Sequence, residues 1–298
     1  MVDLSVVIVN YNTKTLTLNC LKSITESKIV CSNEIWLVDN GSSDRSVKAV
    51  KLLFPNVKVI ESKKNLGFAG GNNLAIRKSK GRYLLLLNSD TEITSGSLDK
   101  LVKFMDGSDF VICSCLTKDG DGLLQPNSGD LPSLAAVFVW LAGLDDILKG
   151  LRKYLPSFHR NEKEYYLGNK EVGWVSGSVM MIKRQLVAEI GLLDDSIFMY
   201  GEDVEYCLRA SKAGYKIGWT DEVEVKHFGG GSSEDPKYKQ WVGEFKGLQY
   251  LYKKYYGLIP VLLFKLLVYI FIFIRIIVFL LTHKFKIAKI YGKVITSI

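Results

Sequence analysis

Three groups of side chains in this 298-residue chain could do chemistry together: Asn88-Ser89-Asp90, Glu202-Asp203 and His227. The carboxylate of Asp90 is well placed to hold a divalent metal and, through it, a ligand phosphate. His227 follows a predicted strand and could reach the same metal. Glu202 or Asp203, at a predicted helix N-terminus where the dipole favours an ionised carboxyl, could serve as a general base. Each group also has an ordinary reading. Asn-x-Asp makes turns, paired acids cap helices, and a lone histidine is often structural.

The elements that must position these groups read as follows. Tyr83-Leu84-Leu85-Leu86-Leu87 has no period-2 alternation, so it predicts a strand buried on both faces near the centre of a mainly parallel sheet. Around it, strands are expected at 4–9, 34–38, 57–61, 82–87 and 110–115. Helices are expected at 15–23, 46–54, about 71–80 and 98–105. This alternation predicts βαβ units with right-handed crossovers, an α/β fold. Ligands of such sheets sit outside the carboxyl ends of the strands. Asn10-Tyr11-Asn12, Asp39-Asn40-Gly41-Ser42-Ser43-Asp44 and the glycine-rich run from Asn65 to Asn73 fall at those ends, beside Asn88 and Asp90. Amides and carboxylates there can read a nucleobase and ribose, and glycines let backbone N–H groups approach a ligand. The first turn lacks the GxGxxG pattern, which disfavours a dinucleotide site.

Residues 117–170 read as loops around a helix at 134–148 and receive no catalytic role. Order returns with a glycine-broken strand run at 172–182 and a helix from 204. Further strands are expected at 215–219 and 224–226, then His227 and Gly229-Gly230-Gly231. Met1-Val2-Asp3 leads straight into the first strand, so no leader peptide is expected. Five scattered cysteines have no metal-ligand spacing and read as reduced thiols.

The formal net charge is +8, but the excess is local. Residues 245–298 hold nine of the 39 Lys and Arg and none of the Asp and Glu, leaving the other residues balanced at 30 against 31. That region includes Leu258–Leu281, apolar except for Lys265 and Arg275. Its neighbour is therefore expected to be an anionic membrane surface, not nucleic acid. At about 1.5 Å per residue such a helix could span roughly 30 Å of hydrocarbon. A span would put the basic tail, Lys284, Lys286, Lys289 and Lys293, across from a cytosolic domain, against the positive-inside tendency. A re-entrant or in-plane anchor is favoured, with the tail as an amphipathic interfacial helix.

Seven segments taken in order, VVIVNYN, VDNGSSD, NLGFAGGNN, LLLLNSD, GWVSGSVMMIKR, FMYGEDVEYCLR and VKHFGG, resemble family 2 glycosyltransferases of the GT-A fold. The resemblance is to the rhamnosyltransferase-like branch and covers roughly residues 3–230. It implies a Rossmann-like, mainly parallel sheet flanked by helices. A catalytic domain over 1–235, with a nucleotide-sugar half at 1–115 and an acceptor half at 116–235, would precede a membrane-associating region at 236–298. It also implies a nucleotide-sugar pocket of Asn10, Tyr11, Asp39, Asn65, Gly67, Gly70, Asn73, Asn88, Asp90, Trp174 and Gly177. Mg²⁺ or Mn²⁺ would sit on Asp90 with His227 as a further contact, and Asp203 would be the base, with Glu202 the alternative. The implied activity moves a single sugar, with rhamnose the candidate the resemblance offers, from a dTDP- or UDP-sugar to a glycolipid or glycan acceptor at the cytoplasmic face of the membrane. The chain departs from the pattern in two places. Asn88 stands where the first aspartate of DxD would be, and the QxxRW motif of processive synthases is missing. An inactive scaffold and a nucleotidyltransferase are the competing readings.

Overall fold

Tyr83–Leu87 is buried on both faces, as the unbroken apolar run predicts, and forms the middle of the sheet. The computed structural model describes residues 2–229 and 236–298. The strands are β1 (Leu4–Asn10), β2 (Asn33–Asp39), β3 (Lys58–Glu61), β4 (Tyr83–Asn88), β5 (Thr91–Ile93), β6 (Ile112–Lys118), β7 (Ser128–Gly129), β8 (Lys170–Val172), β9 (Trp174–Val175), β10 (Val179–Lys183) and β11 (Ile217–His227). The α-helices are α1 (Lys14–Glu26), α2 (Ser46–Leu53), α3 (Gly67–Ile76), α4 (Ser97–Asp106), α5 (Leu134–Ala142), α6 (Leu144–Ile147), α7 (Arg184–Ile190), α8 (Glu202–Lys212), α9 (Pro236–Tyr255), α10 (Leu258–Leu281) and α11 (Phe285–Ile295).

The described residues fall into two compact units. The first takes residues 2–129, 160–198 and 202–229 and contains the whole sheet. Its strand order is β3-β2-β1-β4-β10-β6-β11-β5, with β8 also on β11 and a separate β7–β9 ribbon. Strands β3, β2, β1 and β4 are mutually parallel, while β10 runs antiparallel between β4 and β6. Strand β11 is parallel to β6, so the carboxyl ends of β1, β2, β4 and β11 share one edge. Asn10 pairs in register with Asp39, and Val9 with Asn88.

The structure adjusts four expectations. The strand expected at 110–115 is Ile112–Lys118 and does not join β4, because β10 returns between them. The two strands expected at 215–226 are one strand with an irregular register between Thr220 and Glu224. The helix expected at 134–148 stops at Gly143, whose φ of +64 reverses the chain. Helix α3 starts at Gly67, four residues earlier than expected. Its glycines look like a turn, yet a Cβ on Gly71 would lie 2.9 Å from Val9 Cγ1, so the stretch is a helix pressed onto β1.

The second unit takes residues 130–159, 199–201 and 236–298. Ser133 caps α5 by accepting from Ala136 N, and α5 packs with α9 through the stacked rings of Trp140 and Trp241, 5.7 Å apart. Tyr252, fully buried, donates to Pro132 O at 2.8 Å and packs on Phe264 of α10. The glycine run expected after His227 passes at Gly230 outside the described residues.

Candidate active site

Strand β4 leaves the core at Asn88 and turns at once into β5, a short strand that the sequence does not announce. Antiparallel pairing of β5 with β11 sets His227 opposite Thr91, and Phe228 N donates to Asp90 O at 2.9 Å. The result brings Asp90 and His227, 137 positions apart in the chain, to 3.2 Å between Asp90 Oδ1 and His227 Nε2.

 The two residues are remote in the chain and neighbours in the fold. Asn88 Nδ2 lies 3.2 Å from the same ring nitrogen. On the other side of the ring, Nδ1 donates to Gln125 Oε1 at 2.6 Å, which places the proton on Nδ1 and turns Nε2 toward Asp90. Ser89 is held by Thr13, hydroxyl to hydroxyl, at 3.0 Å.

This donor set fits a divalent cation. The Asp90 carboxylate and the His227 imidazole, 3.2 Å apart, are the groups that would hold it. Among the described residues no third His, Cys, Asp or Glu completes a cluster. Mg²⁺ and Mn²⁺ suit that incompleteness, since Mg²⁺ sites commonly use one or two protein ligands and take the rest from phosphate and water.

Asp203 and Glu202 open α8 but meet different surroundings. Asp203 is half-buried, and its carboxylate accepts from Gly177 N at 2.9 Å and from Val204 N at 2.8 Å. The turn carrying Gly177 is itself fixed to the end of β4, because Asn88 N donates to Ser178 O at 3.0 Å. Glu202 is buried, and its Oε2 has no hydrogen-bond partner among the described residues. Burial, and after it the charge of Asp203, push the Glu202 carboxyl well above the usual range and favour its neutral form. Farther along α8, Arg209 pairs with fully buried Glu205 at 2.9 Å and donates to Ile190 O and Leu192 O, locking the helix to the segment before it.

The remaining sequence-chosen residues divide by exposure. Tyr11 is 43% exposed at the end of β1. Asn10 is fully buried. Its amide nitrogen lies within bonding distance of Asp39 Oδ1, Ser42 Oγ and Ser46 Oγ, and its carbonyl accepts from Thr13 and Thr17. That saturates Asn10, so it shapes the turn that presents Tyr11. Asp39 also accepts from Ser42 N at 3.0 Å. Asn73 is buried and exchanges two bonds with the Leu193 backbone. Asn65 accepts from Asn40 and from Gly67 N, while Gly70 is buried in α3 beside Leu66. Trp174 is buried in β9, opposite Gly129. Sequence reasoning passed over Gln125 and gave Asn40 no role of its own. Gln125 sits in a stretch that reads as loop, and nothing in its surroundings marks it. Asn40 bonds Asn65, Gly67 O and Leu66 N, tying the second turn to the third.

A mainly parallel mixed sheet with acidic and amide groups at the strand ends is the architecture of the GT-A-type transferases. The sequence matches glycosyl transferase family 2 over residues 5–191, and the chain belongs to that family. It is 30% identical over 229 residues to the low-salt glycan biosynthesis hexosyltransferase Agl10 of Haloferax volcanii, covering 76% of this chain and 67% of that one. It is 28% identical over 207 residues to the N-acetylglucosaminyl-diphospho-decaprenol L-rhamnosyltransferase of Mycobacterium tuberculosis, covering 65% of this chain and 66% of that one. The chain thus spans about two thirds of the length of these relatives. In fold it is similar to the mannosyltransferase PcManGT from Pyrobaculum calidifontis, solved with GDP-Man and Mn²⁺. There the TM-score is 0.58 at 16% identity, over 84% of this chain and 63% of that one. It is also similar to GalNAc-T7, solved with UDP, GalNAc and Mn²⁺, with TM-score 0.55 at 19% identity over 76% and 43% of the two chains. The likeness to these two structures concerns the fold alone. The chain is a glycosyltransferase of family 2.

Proposed function

We propose that this glycosyltransferase moves one sugar per encounter, with inversion, from a dTDP- or UDP-sugar to a lipid-linked or polysaccharide acceptor of cell-envelope glycan synthesis. Rhamnose is the favoured sugar, on the likeness to the mycobacterial rhamnosyltransferase, whose name also supplies the lipid-linked acceptor. The observation that carries the reading is that Asp90 with His227, and Asp203 through Gly177 and Ser178, are both built onto the end of β4.

Asp90 and His227 would hold Mg²⁺ or Mn²⁺, which when bound neutralises charge developing on the diphosphate leaving group. Support comes from the Mn²⁺ named with both fold neighbours. Asp203 takes the proton of the acceptor hydroxyl as its oxygen attacks the anomeric carbon and the bond to the diphosphate breaks. One displacement inverts the centre and needs no covalent nucleophile. Two backbone N–H donors keep the Asp203 carboxylate oriented for that transfer. Glu202, buried and with its neutral form favoured, is the poorer base. Tyr11, Asp39, Asn65, Gly67, Gly70, Asn88, Trp174 and Gly177 form or back the donor pocket, and Asn10 and Asn73 fix its turns. The enzyme works at the cytoplasmic face of the membrane through residues 258–298.

The test is release of nucleoside diphosphate from a panel of nucleotide-sugars, with Mg²⁺, Mn²⁺ or EDTA and a membrane extract as acceptor source. Turnover of one donor, abolished by EDTA and by Asp90→Ala and reduced by about 10²–10⁴ in Asp203→Asn, is expected. Full activity in Asp203→Asn would overturn the assignment of the base.

A further inference from the structure

Helix α10 carries two apolar faces of different fate. Val261, Phe264, Val268, Phe271 and Ile272 are buried within the second unit, against α5, α9 and α11. The opposite stripe, Ile259, Leu266, Ile270, Phe273, Ile277 and Leu281, is exposed. At 100° per residue the two sets lie on opposite sides of one helix. The helix's two cations are off the exposed stripe. Arg275 is half-buried with its guanidinium 5.2 Å from the Phe271 ring, and Lys265 lines a small cavity with Phe264, Val268 and Phe245. An exposed apolar face of that length and free of charge marks an interaction surface.

The surroundings choose between crossing a bilayer and lying in it. Helix α9 runs alongside α10 in the opposite direction, with Tyr252 on Phe264 (5.1 Å between ring centres) and Trp241 on Phe271 (5.7 Å). Helix α11 folds back on both, with Tyr291 against Phe279 and Trp241. If α10 crossed the hydrocarbon, Glu244 and Lys246 of α9 would be carried to its depth, where charges are costly. Lying in the plane costs nothing of the kind. The flanks of the stripe are cationic. Exposed Lys253 and Lys254 precede it, exposed Lys284, Lys286 and Lys289 follow it, and no acid occurs after Glu244.

We propose that α10 and the start of α11 dock in the plane of an anionic bilayer, the exposed stripe at the acyl boundary and the flanking lysines on the head groups, without crossing it. The proposal deepens the membrane localisation given above and rests on it. Its test uses the full chain in flotation with phosphatidylcholine vesicles, alone or containing phosphatidylglycerol. Binding to the anionic vesicles is expected, falling about tenfold or more in Lys284→Glu/Lys286→Glu and in Phe273→Asp/Ile277→Asp. Both changes are on exposed side chains, and diphosphate release assayed in detergent stays at the wild-type rate. Sidedness is read in inverted membrane vesicles with a membrane-impermeant maleimide. Thr296→Cys and Lys48→Cys should both label from the outer side of those vesicles. Labelling from opposite sides shows a span and overturns the in-plane geometry. Equal flotation with neutral vesicles overturns the head-group contacts. No flotation, with self-association through α10, gives the face to a second copy. Loss of sugar-nucleotide turnover in the wild type with flotation intact would count against the enzymatic reading alone.

Discussion

Gln125 accepts a hydrogen bond from His227 Nδ1 at 2.6 Å, and through it determines which ring nitrogen faces Asp90. Partners that orient a metal ligand, the role proposed for His227, typically change metal affinity 10- to 100-fold. Gln125→Leu is therefore expected to raise the Mn²⁺ or Mg²⁺ concentration for half-maximal turnover by about that factor, with a smaller change in the rate at saturating metal. Gln125→Glu keeps an acceptor at the site and should recover most of the affinity. A metal titration of turnover reads both, and an unchanged half-point in Gln125→Leu would remove the residue from the metal's support.

Gly177 is limited by space on the side where it holds Asp203. A Cβ there would lie 2.8 Å from Cε1 and Cζ of Phe68 and 3.8 Å from Asp203 Cβ. Gly177→Ala must move the Phe68 ring or pull its own N–H away from the Asp203 carboxylate. Overpacking of this sort costs about 1–3 kcal/mol, and misplacing Asp203, the proposed base, should lower kcat about tenfold or more. Gly150→Ala, with nothing within 4 Å of the new methyl, is the matched control. Thermal melts and kcat of the two variants separate stability from orientation.

The stretch from Asn65 to Asn73 shows what sequence could and could not convey. Its glycines read as room for a ligand. The chain uses several of them for its own packing: Gly71 admits Val9, and Gly67, at φ +74, would drive a Cβ to 2.0 Å from Phe198 O. Gly67→Ala should thus cost several kcal/mol and depress soluble yield, a loss that no nucleotide-sugar corrects. Circular dichroism melts with and without donor would check it, and a fully stable Gly67→Ala would mean that the Phe198 segment yields easily.

The sheet was legible because its central strands are buried on both faces, and a run such as Leu84-Leu85-Leu86-Leu87 has no other use. The parallel strand ends followed from the alternation of strands and helices, which is why Asp39, Asn88 and Asp90 could be set on one edge. What stayed hidden depends on long-range pairing. Strand β5 is three residues long and exists because β11 lies beside it, and β10 enters between β4 and β6 from beyond residue 178. Gln125 meets His227 across 102 positions, and no local pattern encodes that. The motif order carried the family, whereas the burial that separates Glu202 from Asp203 came only with the packed fold.

That separation gives a pH dependence whose sign can be worked out. The folded Glu202 carboxyl is raised well above its unfolded value of 4.5, by burial first and then by Asp203. Its neutral form suits the fold, so stability is fully present below pH 4.5 and declines as pH rises toward the folded value. Glu202→Gln removes that decline. The variant should melt higher than wild type at pH 7–8, with the gap closing below about pH 4.5. Glu34 has the opposite sign. Burial would raise its carboxyl, but Lys58, Lys80 N and Ser5 outweigh it and bring it down to about 2. Its contribution is present above 4.5 and lost as pH falls toward 2. Glu34→Gln should therefore melt lower than wild type at neutral pH, and the two should converge near pH 2. Melting curves of the three proteins across this range would decide the matter, since a Glu202→Gln variant less stable than wild type at pH 8 would mean that Glu202 is ionised and paired in the fold.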